Sequence, residues 1–176
     1  GRLEVEALMQ RAQRTADADD AYAYARGVSI EHFEFMKGQG RLYFGEESVL
    51  AAFHLGTLAR EYLDDFLLHP AHLDSSTLVP FLYLLQQQPG AARQPFIPIH
   101  IESFRAIQPL GERVFVQVRQ SSTGLVADDL FLSDIDFYSP QGERLASMRK
   151  LSTKRIRSEA LISRLRQPGS EEHAAA

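Results

Sequence analysis

The chain of 176 residues fits one domain, because compact domains cluster near about 100–150 residues and two cores here would each be small. With 44% apolar and 24% charged residues it has the make-up of a globular chain, not of a disordered or collagen-like one. A net charge of −4 supplies no basic field for a nucleic acid backbone, and the absence of Cys leaves any chemistry to His, Asp, Glu, Ser or Tyr. No apolar run reaches the roughly 20 residues that cross a bilayer, and nothing resembles a signal peptide. The expected setting is therefore cytoplasmic, with no nucleic acid and no membrane partner.

Residues 1–20 combine scattered apolar positions with an acidic, Ala-rich stretch and read as a linker. Asp19 or Asp20 suits the N-cap of a helix over 21–26, which Gly27 would end through a left-handed conformation. Phe33 and Phe35 alternate with Glu34, Lys37-Gly38-Gln39-Gly40 offers turn chemistry, and 41–44 resume a strand-like run, so a hairpin is predicted there. Another strand is predicted over 48–53. After His69-Pro70-Ala71-His72-Leu73-Asp74, the positions Leu78, Phe81, Leu82 and Leu85 recur at helical spacing and predict a buried helix. Pro80 is tolerated only in a first turn, so this helix is expected to start near 75–77 or to kink, and Pro89-Gly90 should stop it. Alternating runs at 96–104, 114–119 and 130–138, then 145–156 after a Ser139-Pro140-Gln141-Gly142 turn, predict antiparallel strands. One helix with an antiparallel sheet and no βαβ alternation predicts an α+β hotdog fold, the sheet wrapped around a central helix. The expected organisation is a linker over 1–20, a hotdog domain over 21–157, and a linker or disordered tail over 158–176.

Two readings of Asp74 stand on the local sequence. At a helix mouth it can cap, as can Ser75, Ser76 or Thr77; as a carboxyl among apolar residues it can serve as an acid, burial favouring the neutral form and the helix dipole the anion. His69 and His72 stand three apart, but Pro70 between them and the lack of a third ligand argue against a metal. Asp134 and Asp136 flank Ile135 in strand fashion and read as a solvated face. Arg144, Arg149, Lys150, Lys154, Arg155, Arg157, Arg164 and Arg166 make the C-terminal region basic, either as a solvated strand face or as a surface that meets an acidic protein.

His69-Pro70-Ala71-His72-Leu73-Asp74 ahead of a buried helix resembles the His-Pro-x-x-x-Asp-x-x-x-Gln/His motif of dehydratase domains in modular polyketide synthases. The stretch 21–35, with Gly27, is similar to that family's helix and Gly-x-x-Tyr-Gly-Pro-x-Phe strand. Phe96-Ile97-Pro98-Ile99-His100-Ile101 is similar to the strand after the helix, and 138–151 to the last hairpin. Such domains are double hotdogs, the first half carrying a catalytic His in His-x-x-x-Gly-x-x-x-x-Pro and the second the Asp. None of His32, His54, His69, His72, His100 and His173 has Gly four positions on, so the resemblance implies the C-terminal, Asp-bearing half. It implies Asp74 as a catalytic acid kept protonated by burial, and His69, Pro70 and Leu78 as residues near the substrate. It implies no cofactor of the chain's own beyond the phosphopantetheine arm of a partner acyl carrier protein. The implied partners are that carrier protein, a neighbouring ketosynthase and the first hotdog half, within a synthase dimer. Leu78 stands where the family has Gln or His, and Ser29-Ile30-Glu31-His32 where it has Tyr-Gly-Pro. These departures keep open an inert or repurposed domain of the branching or scaffold type, and no lone dehydratase activity is expected. A free-standing homodimeric hotdog thioesterase or hydratase is a third reading.

Overall fold

The computed structural model describes residues 2–87, 94–127 and 129–157. A short helix α1 (Val5–Gln10) and strand β1 (Arg14–Asp17) lead into α2 (Ala18–Gly27), and a 3-10 turn over Glu34–Met36 precedes the hairpin of β2 (Gly38–Phe44) and β3 (Ser48–Leu55). One turn of helix, α3 (Thr57–Arg60), and a second 3-10 turn (Leu63–Asp65) reach the long helix α4 (Pro70–Gln87). There follow β4 (Phe96–Ala106), β5 (Arg113–Arg119), β6 (Gly124–Ala127), β7 (Leu130–Tyr138) and β8 (Arg144–Arg155). All pairings are antiparallel, in the order β1-β2-β3-β5-β7-β8-β4 with β6 beside β7.

Helix α4 lies against β2, β3 and β5. Its Leu78, Val79 and Tyr83 share one core with Ala18, Ala21, Tyr22 and Ala25 of α2, which recur at the i, i+3, i+4, i+7 spacing of a single helix face. The strands complete that core with alternate residues such as Leu42, Phe44, Val114, Val116, Ile135 and Phe137. Farther along α4, Phe81 and Leu84 pack with Phe96 and Phe131, the Phe81 ring lying 5.4 Å from Phe96 and 5.9 Å from Phe131. The period-2 runs predicted as four late strands are β4, β5, β7 and β8, and the turn between the last two is made by Gly142 at φ 78°.

The expectations differ from the structure where local signals met tertiary constraints. Residues 14–17, inside the stretch read as a linker, pair with β2 from Arg14↔Phe44 to Asp17↔Arg41, and the Arg14 guanidinium sits 4.1 Å over the Phe44 ring. Helix α2 begins earlier than expected because Asp17 and Asp20 form a capping box, and the positive φ falls at Ser29 (69°) instead of Gly27. Gly38 and Gly40 are not a turn: both lie in β2, and the hairpin turns at 45–47, where Gly45 N–H donates to the Ser48 carbonyl at 2.9 Å. Their glycines serve close approach. A Cβ on Gly40, at φ 139°, would run into the Ala52 carbonyl oxygen, and one on Gly38 would lie 2.7 Å from Ser75 Oγ. Helix α4 starts at Pro70, not at 75–77, so Pro80 is accommodated deep inside it. The residues read as the stop of this helix and as the C-terminal tail lie outside the described residues.

Candidate functional site

The start of α4 is set by His69. Its carbonyl accepts the Leu73 N–H at 3.2 Å, its ring Nδ1 accepts the Ala71 N–H at 3.2 Å, and Pro70 occupies the first helical position, where a missing N–H costs nothing. With Nδ1 accepting, Nε2 carries the proton and donates to the Ala59 carbonyl at 3.0 Å. His72 likewise uses Nε2 on the Gly111 carbonyl at 3.0 Å. Both rings are fully buried, and burial lowers both pKa values, that of His72 to about 4. The two rings, 6.1 Å apart, thus act as backbone anchors, and no group of metal-ligating side chains occurs among the described residues. His69 and Pro70 build the helix start.

Asp74 then falls in the second turn and caps nothing. The three hydroxyls after it also turn back onto the helix: Ser75 Oγ donates to Ala71 O at 2.6 Å, Ser76 Oγ to Leu73 O at 2.6 Å, and Thr77 Oγ1 to Asp74 O at 2.8 Å. Because the Ser75 proton is committed to Ala71, its oxygen accepts from the Tyr22 hydroxyl at 2.8 Å and from Gly38 N–H at 2.9 Å. Gly38 N–H also reaches the Tyr22 oxygen at 2.7 Å. This buried knot ties α2, β2 and α4 together, and burial, chiefly, raises the Tyr22 pKa.

Asp74 opens onto a groove of about 910 Å³ between the end of α2, the loop that follows it, α4 and the start of β4. Leu78 and Phe81 continue its wall from Asp74, and Phe96, Ile97 and Pro98 face them from β4. Leu78 therefore does line the groove, one helical turn from Asp74, whereas His69 and Pro70 do not. The Asp74 side chain is 34% exposed, so the deep burial implied for a protonated acid is only partial in this chain alone.

The residue that sequence reasoning missed is His32. It sits in the loop after α2, and its Nε2 lies 3.2 Å from Asp74 Oδ2. The sequence offered no signal for this pairing beyond the histidine itself, because the partners are separated by an entire hairpin.

Asp136, expected on a solvated face, is 2% exposed and held between Arg119 (2.8 Å) and Arg149 (2.5 Å). Asp134 accepts the Lys150 N–H at 2.8 Å, where Lys150 adopts φ 47° at an irregularity between β7 and β8. In the basic region, Lys150 meets Glu102 at 2.7 Å and Arg155 stacks over Phe96 at 5.0 Å.

An antiparallel sheet around a buried helix, with one carboxyl opening from that helix onto a largely apolar groove, defines a hotdog domain. The chain belongs to the polyketide synthase dehydratase family: residues 2–162 match the model described as polyketide synthase dehydratase N-terminal domain. It is similar to an N-terminal dehydratase from the difficidin assembly line, with 32% identity and a TM-score of 0.84 over 94% of this chain and 57% of that one. It is similar also to a monomeric dehydratase domain from a trans AT polyketide synthase split module, with 26% identity and a TM-score of 0.84 over 89% of this chain and 56% of that one. Polyketide synthase PksL of Bacillus subtilis (strain 168) is 27% identical over 169 residues, which are 96% of this chain and 4% of that protein. The chain thus spans little more than half of the solved dehydratases and a small part of the synthase. No helix of the described residues is long and apolar enough to cross a membrane.

Proposed function

We propose that this chain is the Asp-bearing hotdog of a dehydratase-type double hotdog in a trans-AT polyketide synthase, and that it acts on the β-position of an acyl chain carried on the phosphopantetheine arm of an acyl carrier protein. The observation that carries this reading is the Asp74 carboxyl in the wall of the apolar groove, with Leu78, Phe81 and Phe96 beyond it as a path for an acyl chain. In the proposed reaction a base from the other hotdog removes the α-proton of the β-hydroxyacyl thioester. The Cα–Cβ double bond forms as the Cβ–O bond breaks, and Asp74 gives its proton to the departing hydroxyl, which leaves as water. Assignment to the second half rests on the His69 to Asp74 motif at the start of α4, whereas the family description refers to an N-terminal domain.

Strand β4 supports a missing neighbour. It ends the sheet, and along it Ile97, Ile99, Ile101 and Phe104 are exposed between 37% and 53%, an apolar row on an open edge where the other hotdog would lie. That neighbour would also deepen the burial of Asp74. One observation favours a second reading, a repurposed or inert domain that positions the carrier protein and ketosynthase: the next side chain along the helix face from Asp74 is Leu78, which can neither hold the carboxyl nor bind a hydroxyl. Asp74→Asn in the synthase module decides between them. Mass spectrometry of the carrier-bound chain should show the β-hydroxyacyl form accumulating; unchanged turnover would remove Asp74 as the acid and leave the second reading.

A further inference from the structure

Helix α4 gives Asp74 no polar support. One turn back stand Pro70 and Ala71, and one turn ahead stand Thr77, whose hydroxyl is bonded to the Asp74 carbonyl, and apolar Leu78. Among the described residues, the side-chain nitrogen that approaches the Asp74 carboxyl is His32 Nε2, 3.2 Å from Oδ2. The imidazole is held there by its surroundings. Its side chain is 8% exposed and meets Tyr22 edge-on, ring centroids 5.1 Å apart at 63°, and Tyr22 is itself pinned by Ser75 and Gly38. Ser29, at φ 69°, bends the backbone just before it.

The accessibility of individual atoms separates the roles of the pair. Asp74 Oδ2 is fully buried and has no aligned hydrogen bond, so Oδ1 is the oxygen able to meet a ligand in the groove. His32 Nδ1 is also sealed and unpartnered, so the ring cannot reach a substrate through its second nitrogen. A small rotation of the ring would align Nε2–H with Oδ2, and contacts of this kind in ligand-free sites commonly tighten when a ligand binds. We propose that His32 is the positioning residue of this site: it takes Oδ2, fixes the plane of the carboxyl and turns Oδ1 toward the groove, the support that α4 itself does not supply. This rests on the reading of Asp74 as the acid.

Two measurements test it separately. In the synthase module, His32→Leu should lower kcat about tenfold to a hundredfold with KM little changed, the size expected when a buried polar atom loses its one polar partner. His32→Gln, which keeps a donor, should recover most of that loss, with far-UV circular dichroism reporting that each variant is folded. A His32→Leu variant as fast as the parent, or a His32→Gln variant as slow as His32→Leu, would overturn the proposal. Independently of turnover, long-range proton–nitrogen NMR of this chain should show the His32 ring nitrogens shifting in Asp74→Asn while those of His69 and His72 stay in place. An unmoved His32 signal would overturn the pairing itself, whereas a moved signal with unaffected turnover in Asp74→Asn would sink only the acid role on which the proposal depends.

Discussion

His72 should make the fold sensitive to mild acid. Burial holds its pKa at about 4 against an ordinary value of 6.5, and the sealed Nδ1 has no acceptor waiting for a proton. Between those two values the unfolded chain binds the proton and the folded one does not, so stability is intact above the unfolded pKa and is lost as pH falls below it. The separation corresponds to about 3 kcal/mol in full, of which about 2 kcal/mol is lost between pH 7 and pH 5. That is a substantial part of a typical domain stability of roughly 5–15 kcal/mol. His72→Gln keeps a donor for the Gly111 carbonyl and removes the titration. Urea unfolding followed by far-UV circular dichroism, since the chain has no Trp, should give the parent a pH 7 to pH 5 loss about 2 kcal/mol larger than the variant's. His69, whose pKa is lowered in the same direction, and the carboxylates titrate in both proteins and cancel in that difference. Equal losses in the two proteins would refute the assignment of the acid sensitivity to His72.

Gly40→Ala should destabilise the chain by on the order of 3 kcal/mol, because a side chain at φ 139° is strained and its Cβ meets the Ala52 carbonyl; an unchanged urea midpoint would contradict that contact. Phe81→Ala, which removes the ring lying between Phe96 and Phe131, should cost about 3–5 kcal/mol by the same measurement, and a loss below about 1 kcal/mol would mean that this end of α4 is not packed as described.

The four late strands were legible because alternation of apolar and polar residues is written within each strand and needs no knowledge of the partner. Helix α4 was legible in its middle and not at its start. The signal sought there was Ser, Thr or Asp as a cap, and the structure uses a histidine ring and carbonyl instead, while Ser75, Ser76 and Thr77 bond backwards. Gly38 and Gly40 misled for a related reason. Glycine marks backbone that must bend or backbone that must come close, and only the neighbouring strand and helix decide which. Asp136 read as solvated because strand period assigns a face but cannot see Arg119 and Arg149 closing over it from neighbouring strands. At the site, Asp74 was visible through its motif, but His32 was not, since it meets Asp74 only after the chain has folded back through β2, β3 and α3.

Pro98 has a consequence for the solution behaviour of this chain on its own. Without it, the run from Phe96 to Ile101 would be an uninterrupted, strongly β-forming segment on an open sheet edge, the kind of sequence that recruits copies of itself into fibrils. Proline has no N–H to offer an incoming strand, and the register shifts between Pro98 and His100, so the edge is broken where it is most apolar. A partner whose surface fits that irregularity can still cover the isoleucines, while a second, identical ribbon cannot zip along them. The proline thus acts as a gatekeeper against self-assembly at the strand most exposed to it.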